Sequence, residues 1–187
     1  MKHNFEVTYK DVKIRQIKLE DLEYLREWRN NSVLGKYLRP IDKISPEMQL
    51  EWFNNYLEDN NIISFAIEEI DELKQLVGSV AIYDFNGVES NCGKTLIGNP
   101  SAAGRNLGFK GEVLALHVGF QKLGIEYYIT EVNKDNVKSQ KMTAKLGFKK
   151  VGDRPLKYGD GYEDCFLLTK DDFYMIHPEL KEVKVNE

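Results

Sequence analysis

The chain has 187 residues, 42% of them hydrophobic and 30% charged, with a net charge of −4. That length fits a single domain, and the apolar share is enough to close a core, which excludes a wholly disordered chain. The negative charge weighs against nucleic acid as the main partner, and no stretch approaches the roughly 18 apolar residues that span a bilayer.

In chain order, Val12 to Ile17 alternates apolar and polar residues, as a half-buried strand does. Leu22, Leu25 and Trp28 then recur at helical spacing up to Asn30-Asn31. Ser45-Pro46-Glu47 reads as an N-cap, a proline at the first helical position and an acid in the first turn. The helix it opens carries Met48, Trp52, Phe53 and Tyr56. Ile62 to Ile67 and Leu76 to Tyr83 read as two strands around an acidic turn. Lys94 to Ile97 reads as a further strand ending at Gly98-Asn99-Pro100. A glycine-rich loop leads into a buried helix holding Val113, Leu114, Leu116, Val118 and Phe120. Tyr127 to Val132 is β-branched and aromatic, hence a strand. Asn136 to Leu146 is an amphipathic helix stopped by Gly147. Phe148 to Val151 and Tyr162 to Leu168 form a hairpin around Gly159-Asp160-Gly161.

The order β-α-α-β-β-β-α-β-α-β-β predicts an α/β (α+β) fold. It would be a mixed sheet of about seven strands with four flanking helices. No repeat or low-complexity linker divides it. The expected organisation is one domain over 12–170 and a C-terminal tail over 171–187, with the first ten residues as trimmings. The opening Met1 to Glu6 lacks the apolar run of a signal peptide, so a cytoplasmic location is expected. Cys92 and Cys165 have no metal-ligand spacing, and neither a metal nor a disulfide is expected.

Two stretches carry the chemistry. In Gly98 to Glu112 a strand stops, a loop with small residues follows and a helix starts. The first N–H groups of a helix have no internal partner, and its dipole adds positive potential, so a pyrophosphate fits there. Arg105 and Lys110 add charge. An ordinary strand-to-helix turn explains the glycines equally well. The second stretch runs from Glu131 to Phe148. By itself it reads as a strand, an Asn/Asp-rich helix cap and a glycine stop.

Together the two stretches resemble the GNAT family of acyl-CoA N-acyltransferases, in a branch similar to the ribosomal-protein N-acetyltransferases (RimJ/RimL-like). The coenzyme motif Arg/Gln-x-x-Gly-x-Gly/Ala maps onto Arg105-x-x-Gly108-x-Lys110, with Lys110 replacing the last small residue. Asn-x-x-Ser followed by Lys-Leu-Gly-Phe is met by Asn136, Ser139 and Lys145 to Phe148. Glu27 to Asn30 and Trp52-Phe53 also look like this branch.

The resemblance implies a GNAT-like, mostly antiparallel sheet and an acetyl-CoA co-substrate without a metal. The pantetheine arm would enter between two splayed strands and bond the backbone of Leu96, Ile97 and Gly98. The pyrophosphate would lie on Arg105, Asn106, Leu107, Gly108, Phe109 and Lys110, and Asn136 would hold the pantetheine. The acceptor amine would attack the thioester directly. Many relatives place a tyrosine as general acid where this chain has Thr143, which leaves Ser139 as the candidate. Asp84 and Glu131 are candidate bases acting through a water. His3, His117 and His177 read as structural.

The acceptor is expected between the two N-terminal helices and the hairpin near Leu156 to Tyr162, with Arg29, Arg39 and Tyr158 as orienting groups. It is a protein N-terminus, an amino sugar on a nucleotide carrier, or a small amine such as a polyamine. A non-catalytic domain of this shape that binds CoA or a partner is the competing reading. A monomer or a homodimer is expected, with no nucleic acid and no membrane as partner.

Overall fold

The computed structural model describes residues 3–38, 41–157 and 159–187. Its strands are β1 (Val7–Tyr9), β2 (Val12–Gln16), β3 (Ile62–Glu69), β4 (Gln75–Asn86), β5 (Glu89–Ile97), β6 (Tyr127–Asn133), β7 (Lys149–Pro155) and β8 (Tyr162–Thr169). Its α-helices are α1 (Leu22–Asn30), α2 (Pro46–Glu58), α3 (Leu107–Lys122), α4 (Val137–Leu146) and α5 (Lys170–Ile176). The eight strands form one sheet in the order β1-β2-β3-β4-β5-β6-β8-β7. Every neighbouring pair is antiparallel except β5 and β6.

The mixed, mostly antiparallel sheet is the one expected, with one more strand and one more α-helix. Both additions come from the ends. Val7 on β1 is fully buried, and Glu6 bridges Asn186. His3 is buried beneath β3, where Nε2 lies 3.3 Å from the Ser64 carbonyl, and burial lowers its pKa to about 4. Residues 171–187, expected as a tail, continue the fold through α5 and a 3-10 turn. Phe173, Tyr174 and Leu180 belong to the main core. Three residues make too short a run of alternation to announce β1, and the charge of the C-terminal end masks three buried side chains among exposed ones.

The sheet separates two cores. On one face α3 packs Leu114, Leu116, Val118 and Phe120 against Ile63, Phe65, Ile67 and Tyr128. Each such side chain contributes about 1.5–3 kcal/mol by leaving water. Helix α3 can lie this close because Gly111 faces Ile67 with no Cβ between them. On the other face α1 and α2 bring Leu22, Leu25, Trp28, Phe53 and Tyr56 onto Ile17, Ala66 and Leu96. A buried ion-pair group fixes where α1 begins. Arg15 donates from Nη1 and Nη2 to Asp21 (2.7 and 3.0 Å) and from Nε to Glu68 (2.7 Å). At its other end, the Asn30 amide exchanges two hydrogen bonds with the Ile44 backbone, at 2.8 and 2.9 Å, and pins the α1–α2 connection. Buried His117 lies 2.9 Å from both the Tyr174 hydroxyl and the Val183 carbonyl, tying α3 to the C-terminal segment.

Candidate active site

Strands β5 and β6 pair over three residues only, Glu89–Asn91 against Tyr127–Ile129. Thr130 Oγ1 then donates to the Cys92 carbonyl at 3.3 Å, and no further ladder pair joins the two strands among the described residues. They splay apart, leaving one edge of β5 open. Strand alternation decides which groups face the gap. The Gly98 N–H is bonded to the Val77 carbonyl at 3.0 Å, so Gly98 and Leu96 direct their backbone groups toward β4. The N–H and C=O of Ile97 therefore face the gap. A β-bulge opposite Ser79–Ala81 kinks β5 just before this point, and Lys94 there has φ 51°. Such a bulge re-aims a strand locally. A Cβ on Gly98 would run into the Trp28 indole, so the end of β5 and helix α1 require glycine at this position.

Helix α3 starts beside the open edge. Its N-cap, Asn106, is in the left-handed region (φ 60°) and makes no side-chain cap bond. The N–H groups of Leu107, Gly108 and Phe109 thus have no preceding helical carbonyl to bond, and the dipole attracts an anion to them. A Cβ on Gly108 would lie 3.3 Å from Ile97 Cγ1, which measures how closely the helix start abuts the gap strand. The side chains of this turn point elsewhere: Leu107 is buried, and the Lys145 ammonium stands 4.4 Å from the centre of the Phe109 ring. Arg105 pairs with Glu72, and Lys110 with Asp11, each at 2.6 Å. Both are surface pairs, of the kind a bound phosphate competes with.

Behind the gap, Thr95 Oγ1 donates to Glu112 on α3 at 2.6 Å, tying the gap strand to the helix. Burial pushes the Glu112 carboxyl up to about 7. A single acid in the apolar stretch after Gly111 is the signal that could have drawn attention to it.

Helix α4 begins where β6 ends. The Asn136 side chain caps it, accepting from the Ser139 N–H at 3.2 Å, which leaves the Asn136 amide donor for a ligand. Ser139 is half-buried in the first turn, and its hydroxyl makes no hydrogen bond among the described residues. Of the two candidate bases, Asp84 is exposed at the far end of β4 with φ 58°. Glu131 is half-buried on the diverging part of β6, and burial raises its pKa against the opposing effect of Arg154, 3.3 Å away. Tyr83, which the sequence reading passed over, lies between these features. Its ring carries the Lys94 ammonium 3.7 Å from its centre, and burial raises its hydroxyl pKa. Cys92 is buried and Cys165 half-buried, and burial holds both thiols above their ordinary value.

On the face away from α3 a cleft of about 910 Å³ opens over β3, β4 and β5 beneath α1 and α2. Leu25, Ile44, Met48 and Trp52 wall it; Ser79, Ala81, Lys94 and Leu96 floor it. Arg29 lines it as expected, whereas no described residue of the late hairpin does. Arg39 and Tyr158 lie outside the described residues. A bond from the Tyr37 hydroxyl to the Asp135 carbonyl, 3.1 Å, links the α1–α2 connection to the β6–α4 turn. No group of His, Cys, Asp or Glu among the described residues could hold a metal ion, and no described helix is long and apolar enough to cross a membrane.

Comparison with known proteins agrees with this geometry. Residues 11–149 match the acetyltransferase (GNAT) domain family. The spermidine N(1)-acetyltransferase of Escherichia coli K12 is 26% identical over 144 residues, covering 76% of this chain and 75% of that protein. Among solved structures, the spermidine N-acetyltransferase of Vibrio cholerae in complex with CoA and spermine superposes with a TM-score of 0.78 at 18% identity, over 87% of this chain and 98% of that one. FdhC, a nucleotide-linked sugar GNAT, gives 0.77 at 22% identity, over 96% and 98%. The chain belongs to the GNAT acetyltransferase family and is an acetyl-CoA-dependent N-acetyltransferase that acts on a primary amine.

Proposed function

We propose that the β5–β6 gap and the start of α3 form the coenzyme slot, and that the cleft under α1 and α2 holds the acceptor amine. The observation that carries the assignment is the early end of β5–β6 pairing, which leaves the Ile97 backbone groups unpaired beside the first N–H groups of α3. Acetyl-CoA supplies an activated thioester as co-substrate. The pantetheine amides bond Ile97 and the Asn136 amide donor, and the pyrophosphate rests on the N–H groups of Leu107, Gly108 and Phe109. Leu96 and Gly98 contribute through the strand they continue. Arg105 and Lys110 supply charge once released from Glu72 and Asp11.

An ammonium must lose a proton before it can attack a carbonyl. Glu131 takes that proton through a water: it stands on the diverging strand, and burial raises its pKa. Asp84 is the weaker candidate, being exposed. Ser139 donates a proton to the departing thiolate; its unengaged hydroxyl in the first turn of α4 supports this role. No covalent enzyme intermediate is involved, so neither cysteine takes part.

The acceptor class follows from chemistry outside the motif. The curated relatives favour a polyamine, and the Asn136–Ser139 and Lys145–Phe148 motifs, similar to the RimJ/RimL branch, favour a protein N-terminus. Release of free thiol from acetyl-CoA with spermidine, a peptide with a free N-terminus and amino sugars tests all three. With any accepted amine, Ser139→Ala should lower kcat about 10²-fold at an unchanged coenzyme KM. A wild-type kcat would remove the serine from the chemistry. Uptake of CoA with no thiol release for any amine would make the domain a binding module instead.

A further inference from the structure

The acceptor cleft does not end at α2. A second cavity of about 420 Å³ lies at its outer end, under the α1–α2 connection, and the two share Arg29, Leu38, Ile41 and Asp42. Together they form one groove from the β5 bulge to the surface. Its charge runs against that of the molecule. The chain carries a net −4, yet among the described residues the groove is lined by four cations, Arg29, Lys36, Lys43 and Lys94, against the single carboxylate of Asp42. Neither Lys36 nor Lys43 nor Lys94 has an ion-pair partner among the described residues to offset its charge. Unpaired cations converging on a concave surface focus an anion there.

The distribution along the groove is as informative as its sign. Arg29, Lys36 and Lys43 cluster in the outer cavity. The inner part holds one cation, Lys94 at the floor, beside the neutral polar groups of Gln49, Ser64 and Ser79, and Trp52, 39% exposed and stacked on Tyr56, forms one wall. A half-exposed indole of this kind offers a platform for a ring. A polyammonium chain would have to thread past all four cations, and the repulsion grows as the groove dries.

We propose that the acceptor is an amine borne on a ring that also carries a phosphate or diphosphate ester. The amine reaches the β5 bulge, the ring lies against Trp52, and the phosphate is held by Arg29, Lys36 and Lys43. This inference rests on the assignment of the cleft as the acceptor site. Lys94 gains a role in it. An ammonium beside the bound amine favours the neutral form of that amine, the form that attacks. Lys94 is thus a positioning residue that also excludes multiply charged amines.

The test uses the full chain saturated with CoA, so that phosphates cannot occupy the coenzyme slot. Titration by calorimetry with a panel of ADP, GDP, UDP and dTDP should show binding of at least one member. The Lys36→Ala, Lys43→Ala double variant should weaken that binding tenfold or more, since each cation supplies a charge-assisted contact, while leaving CoA affinity unchanged. Raising the salt concentration should weaken it further. Silence across the panel, or binding that the double variant leaves intact, overturns the proposal. So does thiol release that is as fast with spermidine as with the best phosphorylated amine. In each of those cases CoA binding and turnover still stand, so the acetyltransferase site survives. Failure of CoA itself to bind would instead overturn the site assignment.

Discussion

The two halves of the site are made of different material. The proposed coenzyme slot is made of backbone: an open strand edge at Ile97, the N–H groups of Leu107 to Phe109, and glycines that let these approach one another. The proposed acceptor groove is made of side chains from α1, α2 and the face of β3, β4 and β5 beneath them. Backbone groups are common to every residue, so the slot tolerates substitutions that leave the chain path unchanged. Side chains are not shared, so the groove can be rebuilt while the slot stays. The same architecture can therefore carry different acceptors at low sequence identity.

Trp28 gives the most severe test of that separation, because it belongs to both halves. It is buried in the core under α1, and its indole covers Gly98 at the end of β5. Trp28→Ala should cost about 3–5 kcal/mol of stability, as truncating a buried aromatic does. If the halves are independent, the folded fraction should keep its CoA affinity, measured by calorimetry below the melting transition. A parallel loss of CoA affinity would show that α1 shapes the slot and would break the distinction.

Glu112 tests the slot's own scaffold. Its pKa of about 7 in the folded chain lies above the ordinary 4.5. Below about pH 4.5 both folded and unfolded states carry the proton, and the group has no effect on stability. As the pH rises from there to about 7 the unfolded chain ionises first, so the native state loses stability, and above pH 7 the loss is complete. Glu112→Gln removes the titration and keeps an acceptor for Thr95. It should stabilise the protein by up to about 3 kcal/mol at pH 8, at about 1.4 kcal/mol per unit of pKa shift, and by nothing at pH 4. Thermal melts at the two pH values check this. Equal melts at pH 8 would mean that folding does not raise the Glu112 pKa above its ordinary value.

Gly108→Asp sharpens the comparison from the ligand side. It sets a carboxylate among the N–H groups proposed to hold the pyrophosphate, and its Cβ meets Ile97 at a distance that a small shift accommodates. CoA affinity should fall by about 2 kcal/mol or more, from a lost charge-assisted contact and added repulsion. The acceptor KM, measured at saturating acetyl-CoA, should stay within about twofold. Unchanged CoA affinity in a folded variant would move the pyrophosphate away from α3.

Much of this was legible in the residues. Period-2 and period-3.6 patterning placed seven strands and four helices in the right order. The Gly98–Glu112 and Asn136–Phe148 stretches announced the start of α3 and the cap and glycine stop of α4, because turns, caps and close approaches demand particular residue types. What escaped the reading depends on partners distant in sequence. The strand that runs from Glu89 looks polar, with Ser90, Asn91 and Gly93, and is a strand only because β4 pairs with it. The ends of the chain look like trimmings until Val7, Phe173 and Leu180 are seen in the core. Tertiary structure alone decided that Gly98 directs its N–H to Val77 while Ile97 faces the gap, that Arg105 and Lys110 rest on Glu72 and Asp11, and that Arg29, Lys36, Lys43 and Lys94 line one groove. Local sequence determines which conformations a segment prefers. Which charges meet across some sixty residues of chain depends on how the sheet and its two helical layers close around one another.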